Sequence, residues 1–304
     1  MKKVDVLAIG TAVVDIYAKI DDKFLYKNKI KKGCTNNVKL NYLKKILKQI
    51  KPIKIVAGDN AKNALVSYKK CSGKSCAYIS NVGTDYYGDI FKKSLRKNKI
   101  IDLCARKKRT GRIICLISKD KQRTFLAYLG DGIKKVKIKK IPSAKIFYFT
   151  NITISFRGIG QQTLKIAKDL KKQYFTKIAF ALESKNLIKK NILKILQISR
   201  FADYIFLNQQ ELNAFEKYKN DFLKTKAYIF LKMGPKGSKI IKDKKTIAFL
   251  KAKKIKKIVD TTGAGDYFNG AVLYGIINNY SEKKLLWLGN SSGAKIIKVI
   301  GVED

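Results

Sequence analysis

The chain has 304 residues, 46% of them hydrophobic, and it carries 67 Lys and Arg residues against 22 Asp and Glu residues, with no histidine. This composition suffices for a large core, and no apolar run reaches the roughly 20 residues of a transmembrane helix. The lack of histidine excludes serine–histidine, cysteine–histidine and histidine–metal chemistry. A proton transfer would therefore have to use Asp, Glu, Lys, Tyr or Cys.

The elements predicted in chain order alternate between strands and helices. Apolar runs typical of buried strands cover residues 4–10, 75–80, 145–150, 177–182, 203–207 and 227–231, and more amphipathic strand patterns lie at 16–20 and 110–118. Helical patterns lie at about 38–50, 61–70, 86–97, 160–171, 186–199, 209–217, 265–278 and 281–298. This alternation predicts an α/β fold with a mostly parallel central sheet and helices on both faces.

The predicted organisation is one continuous domain over residues 1–304. We find no repeat and no low-complexity linker, and the chain has three prolines. Two segments, about 16–36 and 106–128, are richer in charge and in alternating pattern than their surroundings. They are predicted to form a small β lid that projects from the domain.

Two features of the composition bear on localisation. The first residues superficially suggest a signal peptide, but their apolar run is short and contains Asp5, so we interpret them as the first core strand. The five cysteines are odd in number and lack metal-site spacing. We therefore expect a cytoplasmic protein without a disulfide framework or a zinc site.

The formal charge of +45 raises the question of a nucleic-acid partner, but direct counting gives 60 Lys and 7 Arg. Proteins that read nucleic acids rely on the bidentate fork of Arg. Here Lys is spread over nearly every segment beside abundant Ile, Asn, Tyr and Phe, which share AT-rich codons. Mutational drift towards AT-rich codons explains this pattern better than a polyanion partner does. The excess of positive charge should still attract anions.

The most informative stretch of the chain is residues 260–270, Asp-Thr-Thr-Gly-Ala-Gly-Asp-Tyr-Phe-Asn-Gly. Two glycines, Gly263 and Gly265, precede Asp266 at the start of a helical pattern. Glycines let the backbone approach a ligand, and the first N–H groups of a helix form an anion site. An aspartate beside bound phosphate can take a proton from an attacking hydroxyl. The alternative is a glycine-rich turn with Asp266 as a first-turn acid.

Further motifs follow the predicted strands. Asn208 and Glu211 open a helix after the strand at 203–207, where they either form a capping box or hold Mg²⁺ lightly at the carboxyl end of the strand. The turn from Lys232 to Gly237 is either a plain hairpin or a loop that lines a nucleotide. Asp15 follows the first strand and is interpreted as an acceptor for substrate hydroxyls rather than as a surface residue of the lid. Residues 57–64 form a polar helix entrance with Asp59 or Asn60 as a cap.

Together these motifs resemble the ribokinase-like (PfkB) carbohydrate kinase family over essentially the whole chain. The stretch from Asp260 to Asp266 matches the C-terminal signature of that family without a mismatch. The resemblance implies a ribokinase-like three-layer fold. It also implies that Asp266 is the catalytic base and that the backbone of Gly263, Ala264 and Gly265 forms the anion hole.

The resemblance also implies roles for other residues. Asn208 and Glu211 would organise Mg²⁺ through water, and ATP would be bound by these two residues together with Lys232, Gly234, Gly237 and Thr262. The substrate would be bound by Asp15, Gly58, Asp59 and Asn63. The family usually has a Gly-Gly pair where this chain has Gly58 and Asp59. That departure puts the identity of the substrate, and full activity, in question.

The expected function is ATP-dependent phosphorylation of a primary hydroxyl on a ribose-containing nucleoside or a small sugar. Residues 6–25 and 122–130 resemble the adenosine-kinase-like branch most. The alternatives are a ribokinase- or fructokinase-type sugar kinase and a catalytically decayed kinase fold that binds polyanions. We expect a small-molecule substrate, no specific nucleic acid, no membrane, and a monomer or homodimer.

Overall fold

The computed structural model describes residues 3–255 and 257–302. In that part of the chain the strands are β1 (Val4–Ile9), β2 (Val13–Lys19), β3 (Thr35–Asn37), β4 (Lys54–Ala57), β5 (Cys76–Ile79), β6 (Asn81–Gly83), β7 (Ile101–Asp102), β8 (Ala105–Lys107), β9 (Gly111–Ile117), β10 (Arg123–Tyr128), β11 (Ala144–Thr150), β12 (Lys177–Ala181), β13 (Tyr204–Asn208), β14 (Tyr228–Lys232), β15 (Ser238–Lys242) and β16 (Lys245–Leu250).

The α-helices of the described residues are α1 (Asp22–Lys27), α2 (Leu40–Leu47), α3 (Asn60–Lys70), α4 (Tyr86–Lys97), α5 (Asn151–Ile154), α6 (Arg157–Tyr174), α7 (Lys185–Lys190), α8 (Ile192–Ser199), α9 (Gln209–Asn213), α10 (Lys219–Leu223), α11 (Ala264–Ile277) and α12 (Glu282–Ile296). None of them is both long and apolar enough to cross a membrane.

The main sheet has nine strands in the order β16, β15, β14, β13, β12, β11, β1, β5, β7. All neighbours from β14 to β7 run parallel, whereas β15 and β16 add an antiparallel edge. The chain reverses its direction of growth at β1, which lies between β5 and β11. Open α/β sheets bind ligands at the carboxyl ends of strands near such a reversal.

Helices cover both faces of the main sheet. On one face α3, α11 and α12 pack together over β1, β5, β11 and β13, and on the other face α5 and α6 pack on β11 and β12. The two faces have separate apolar clusters, because successive residues of each strand point to opposite sides: Val6 and Ala8 belong to one cluster, Leu7 and Ile9 to the other. The predicted three-layer arrangement is confirmed.

A second sheet of five strands has the order β3, β10, β9, β2, β4. Four of its strands overlap the segments 16–36 and 106–128, and β4 comes from Lys54–Ala57 outside them. Strands β6 and β8 form a separate pair. The role of the five-stranded sheet as a moving lid stays a prediction.

Several helical predictions differ from the structure: α5 and α10 were not predicted, and the helix predicted at 209–217 ends at Asn213. Two further differences have a common cause. The pattern at 186–199 is divided into α7 and α8 at Asn191, whose φ of −122° is not helical and whose side chain donates to the carbonyl of Leu187. The sequence also gave no indication of α1, which begins where Asp21 accepts a hydrogen bond from the Phe24 amide at 2.8 Å. Side-chain hydrogen bonds to the backbone decide both boundaries.

Candidate active site

Polar side chains gather where parallel strands of the main sheet end. Thr11 follows β1, Asn151 follows β11, and Glu183 follows β12. The next two strands end in Asn208 and Lys232, which are paired across β13 and β14. Because parallel strands end at the same edge of a sheet, these side chains form a row along that edge.

Helix α11 begins beside this row with unpaired backbone donors. Gly263 precedes it with φ of +78°, and a Cβ atom there would lie 2.6 Å from Val302, so glycine suits the position. Ala264 donates its N–H to the carbonyl of Thr261 at 3.3 Å. Among the described residues, the N–H groups of Gly265 and Asp266 have no acceptor. With the positive end of the helix dipole, they form a site for an anion.

Asp266 is buried in the first turn of α11, with 4% of its surface exposed. Asn60 donates to Oδ1 at 3.1 Å and Asn63 donates to Oδ2 at 3.2 Å, both from the start of α3. Burial raises the pKa of Asp266 from 3.8 to about 6, although the two amides and the charge of Lys232 act in the opposite direction. This carboxylate is therefore both oriented and poised to gain a proton near neutral pH.

Two more carboxylates lie near Asp266. Burial raises the pKa of Glu183 well above its usual value, and the charge of Asp266 adds to this while Lys232 opposes it. Burial likewise raises the pKa of Glu211, and the charge of Lys232 again opposes this rise. Atom Oε1 of Glu183 is buried without a hydrogen-bond partner in the described structure. Lys232 is thus the cation that compensates a cluster of three acids, Asp266, Glu183 and Glu211, which we call the acid cluster.

Asn208 and Glu211 form the predicted capping box at the start of α9. Asn208 Oδ1 accepts from the Glu211 amide at 2.9 Å, and Glu211 Oε2 accepts from the Asn208 amide at 2.7 Å. In the described residues no group of three Cys, Asp or Glu side chains is arranged to hold a metal ion. The side-chain oxygens of Asn208 and Glu211 and the unpaired Glu183 Oε1 nevertheless fit a Mg²⁺ ion that keeps most of its waters and is coordinated mainly by bound phosphates.

The residues predicted to bind substrate lie at the entrance of α3. Asp15 in β2 lies against Gly58, where a Cβ atom would be 2.6 Å from Asp15 Oδ2. Asp59 has φ of +79°, and its carboxylate accepts from the amides of Thr11 at 2.8 Å and Lys62 at 2.9 Å. Burial raises its pKa. Asp59 thus caps α3, and its carboxylate is directed at backbone amides.

The segment from Lys232 to Gly237 joins the antiparallel strands β14 and β15, as in the hairpin alternative, and the Met233 amide donates to the Gly237 carbonyl at 2.8 Å. Gly237 has φ of +99°, and a Cβ atom there would lie 2.1 Å from the carbonyl oxygen of Leu250. Gly234 has open space around it. Packing alone therefore requires Gly237, and a nucleotide-lining role for this hairpin stays a prediction.

Arg123 connects the five-stranded sheet with the segment before α11. Its guanidinium contacts Asp260 at 2.6 Å, Thr261 Oγ1 at 3.0 Å and the Thr262 hydroxyl. Thr262 also donates its amide to Asp260 at 2.9 Å. The Thr262 side chain, which was predicted to bind the nucleotide, is therefore engaged within the protein in this structure.

The geometry adds four residues to the site that the sequence did not assign to it. They are Asn60, Asn151, Glu183 and Arg123. Asn151 is fully buried at the end of β11, accepts from the Glu183 amide at 2.7 Å, and leaves its Nδ2 unpaired in the described structure. For Asn151 and Glu183 the sequence contained one signal that could have assigned them to the site. Both are polar residues directly after predicted buried strands, as Asn208 is.

The fold is an open α/β sheet, and at its edge an anion site at a helix start lies beside a buried carboxylate. A family model described as pfkB family carbohydrate kinase matches residues 33–304. The chain belongs to that family. The predictions of a kinase and of the ribokinase-like fold are therefore confirmed.

Individual relatives differ in the acceptors their names give. The chain is 25% identical over 289 residues to a nucleoside kinase of Methanocaldococcus jannaschii, covering 89% of this chain and 91% of that protein. It is 25% identical over 251 residues to a ribokinase of Lactococcus lactis, covering 75% and 74%. The solved adenosine kinase of Sinorhizobium meliloti superposes with a TM-score of 0.88 at 23% identity, covering 99% of this chain and 96% of that one. At that identity the superposition shows the fold alone.

Proposed function

We propose that this protein transfers the γ-phosphoryl group of ATP to a primary hydroxyl of a ribose-containing nucleoside, with an adenosine-like acceptor as the first candidate. One observation carries the proposal. A buried carboxylate with a pKa of about 6 lies at a helix start whose Gly265 and Asp266 amides lack acceptors in the described structure. A base and an anion site are thereby adjacent, as phosphoryl transfer requires.

Asp266 acts as the general base. The acceptor oxygen attacks the γ-phosphorus, its proton passes to Asp266, and the bond between the γ-phosphorus and the bridging oxygen breaks to release ADP. Asn60 and Asn63 fix the carboxylate, because Asn60 donates to both of its oxygens and Asn63 donates to Oδ2. Because burial raises the pKa to about 6, the carboxylate is ionised above that pH and still basic enough to accept the proton.

The start of α11 stabilises the transferring group. Charge spreads over the phosphoryl oxygens during transfer, and preorganised N–H donors at a helix start stabilise it without reorganisation. The amides of Gly263, Ala264 and Gly265 were predicted for this task. Ala264 donates to Thr261, so Gly263 and Gly265 are the members of this set whose N–H groups lack an acceptor in the described structure, and the Asp266 amide joins them. Mg²⁺ near Asn208 and Glu211 supplies neutralisation of the triphosphate when it is bound.

The acceptor binds between β2, the entrance of α3 and the end of β11. Asn63 donates one amide proton to Asp266, and its Oδ1 is buried without a partner in the described structure. That oxygen is free to accept from an acceptor hydroxyl beside the base. Asp15 accepts further hydroxyls, and Gly58 leaves the space for them. The five-stranded sheet closes over this region as a lid and excludes water, which would otherwise compete as a nucleophile.

The test is an ADP-release assay with Mg²⁺-ATP and a panel of acceptors: adenosine and other nucleosides, ribose and fructose. We expect the largest kcat/KM with a nucleoside. The similarity to a ribokinase over three quarters of the chain favours a sugar acceptor as the second candidate. Turnover with ribose or fructose alone would select it. No ADP release with any acceptor would contradict the proposed function.

A further inference from the structure

Lys232 occupies the point where β14 approaches α11. It is the last residue of β14 and is paired with Asn208 of the capping box. Its Nζ donates to Asn269 Oδ1 on α11 at 3.2 Å. A Cβ atom at Gly265 would lie 3.1 Å from that Nζ, so the ammonium group reaches the first turn of α11 because residue 265 has no side chain.

The ammonium group has donors to spare. A lysine ammonium carries three N–H donors, and the bond to Asn269 uses one of them. In the described part of the chain Lys232 makes no ion pair. Its charge nevertheless opposes the rise that burial causes in the pKa of all three members of the acid cluster. The remaining donors lie beside the first turn of α11, next to the unpaired N–H groups of Gly265 and Asp266.

A cation in this position needs an anion as its partner. The start of a helix carries a partial positive charge, so a second cation there is repelled. The acid cluster offsets this only in part, since burial keeps two of its members, Glu183 and Asp266, prone to protonation. A phosphoryl group between the ammonium and the first turn of α11 satisfies both sets of donors.

We propose that Lys232 is a further catalytic residue, which binds the transferring phosphoryl group directly and holds it against the first turn of α11. The inference rests on the proposed function and extends it, because it gives Lys232 a role at the γ-phosphate in place of a general one in nucleotide lining. The competing role is indirect: Lys232 would only tune the acid cluster.

The test compares Lys232→Met with wild type, and Lys226→Met serves as the control because Lys226 is exposed near the opposite end of β14. kcat is measured from pH 6 to 9.5, and binding of ADP and of a non-hydrolysable ATP analogue is measured by calorimetry. Thermal unfolding confirms that each variant is folded. Gly265→Ala provides a second variant that crowds the ammonium without removing it.

We expect Lys232→Met to lower kcat by ~10²–10³-fold on the alkaline plateau, where Asp266 is ionised in either protein. The acid limb should also move to higher pH, since the charge of Lys232 no longer opposes the protonation of Asp266, Glu183 and Glu211. Binding of the ATP analogue should weaken at least ~10-fold, about 1.4 kcal/mol, while ADP binding changes little. Lys226→Met should behave as wild type, and Gly265→Ala should shift kcat in the same direction as Lys232→Met.

The proposal is overturned if Lys232→Met regains wild-type kcat at high pH, because Lys232 then acts through the acids. It is also overturned if the analogue and ADP lose affinity equally. Failure of the proposed function looks different: wild type itself would release no ADP. In that case the difference between analogue and ADP binding still decides whether Lys232 contacts the terminal phosphate.

Discussion

Arg123 of β10 and Asp260 in front of α11 form an ion pair of 2.6 Å across 137 residues of sequence. The pair fastens the five-stranded sheet to the segment that leads into the anion site. Burial raises the pKa of Asp260, but the amides of Thr262 and Gly301, the Thr262 hydroxyl and the charge of Arg123 outweigh it, and the pKa lies below 3.8. The carboxylate is therefore ionised and paired at neutral pH.

We predict that Arg123→Met lowers the free energy of unfolding by about 1–3 kcal/mol, because it removes the charged partner of a mostly buried carboxylate. The matched control is Arg106→Met, which breaks the exposed pair with Asp89 and should cost less than about 1 kcal/mol. Urea denaturation at pH 7 measures both.

The ion pair of Arg123 and Asp260 also predicts how the stability of the protein depends on pH. A carboxylate whose pKa is lowered in the folded state stabilises the protein above its unfolded pKa, and this contribution is lost as the pH falls through the folded value. The difference between wild type and Arg123→Met should therefore shrink below pH 3.8. Equal losses for Arg123→Met and Arg106→Met at pH 7 would contradict the structural role of the pair.

The backbone geometry at Asp59 predicts that two small substitutions differ in their cost to stability. Its φ of +79° is strained for a residue with a side chain, and its carboxylate caps α3. Asp59→Gly relieves the strain while it loses the cap, so the free energy of unfolding should change by less than about 1 kcal/mol. Asp59→Ala keeps the strain and loses the cap, and should cost about 2 kcal/mol. Equal stabilities by thermal unfolding would be inconsistent with the backbone geometry at Asp59.

The hairpin between β14 and β15 offers a second matched pair. Gly237→Ala places a methyl group 2.1 Å from the Leu250 carbonyl oxygen at φ of +99° and should cost at least about 3 kcal/mol. Gly234→Ala meets no atom within 4 Å and should cost only about 1–2 kcal/mol of left-handed strain. Chemical denaturation compares the two, and a stable Gly237→Ala protein would show that the strands are not packed as described.

Because Asp266 is a buried charge, replacing it with a neutral residue should increase the free energy of unfolding. The Asp266 pKa of about 6 in the folded state exceeds the ordinary value of 3.8. Protonation of Asp266 therefore favours the folded state below pH 3.8, and this contribution is lost as the pH rises to about 6. Asp266→Asn should therefore stabilise the protein at pH 7 by up to about 3 kcal/mol, at 1.36 kcal/mol per pKa unit. Denaturation at pH 4 and pH 7 tests this. A variant that is less stable at pH 7 would contradict the buried, unfavourable charge.

The sequence predicted what depends on local pattern. The main strands, the start of α11 and the capping box of Asn208 and Glu211 follow from apolar runs, glycine spacing and a cap motif. The contact between Asn60 and Asp266 joins residues 206 positions apart, so it depends on how α3 packs against α11. Glu183 gave no signal beyond an acid after an apolar strand. Whether such an acid is buried beside two others is decided by tertiary packing, which local pattern does not carry.

The most direct test of the account measures kcat against pH for wild type and Asp266→Asn with the best acceptor. We predict that the wild-type rate rises through an acid limb near pH 6, the pKa of Asp266. Asp266→Asn should lose ~10²–10⁴-fold of that rate and still bind ATP. Wild-type turnover in Asp266→Asn would show that this carboxylate does not take the acceptor's proton.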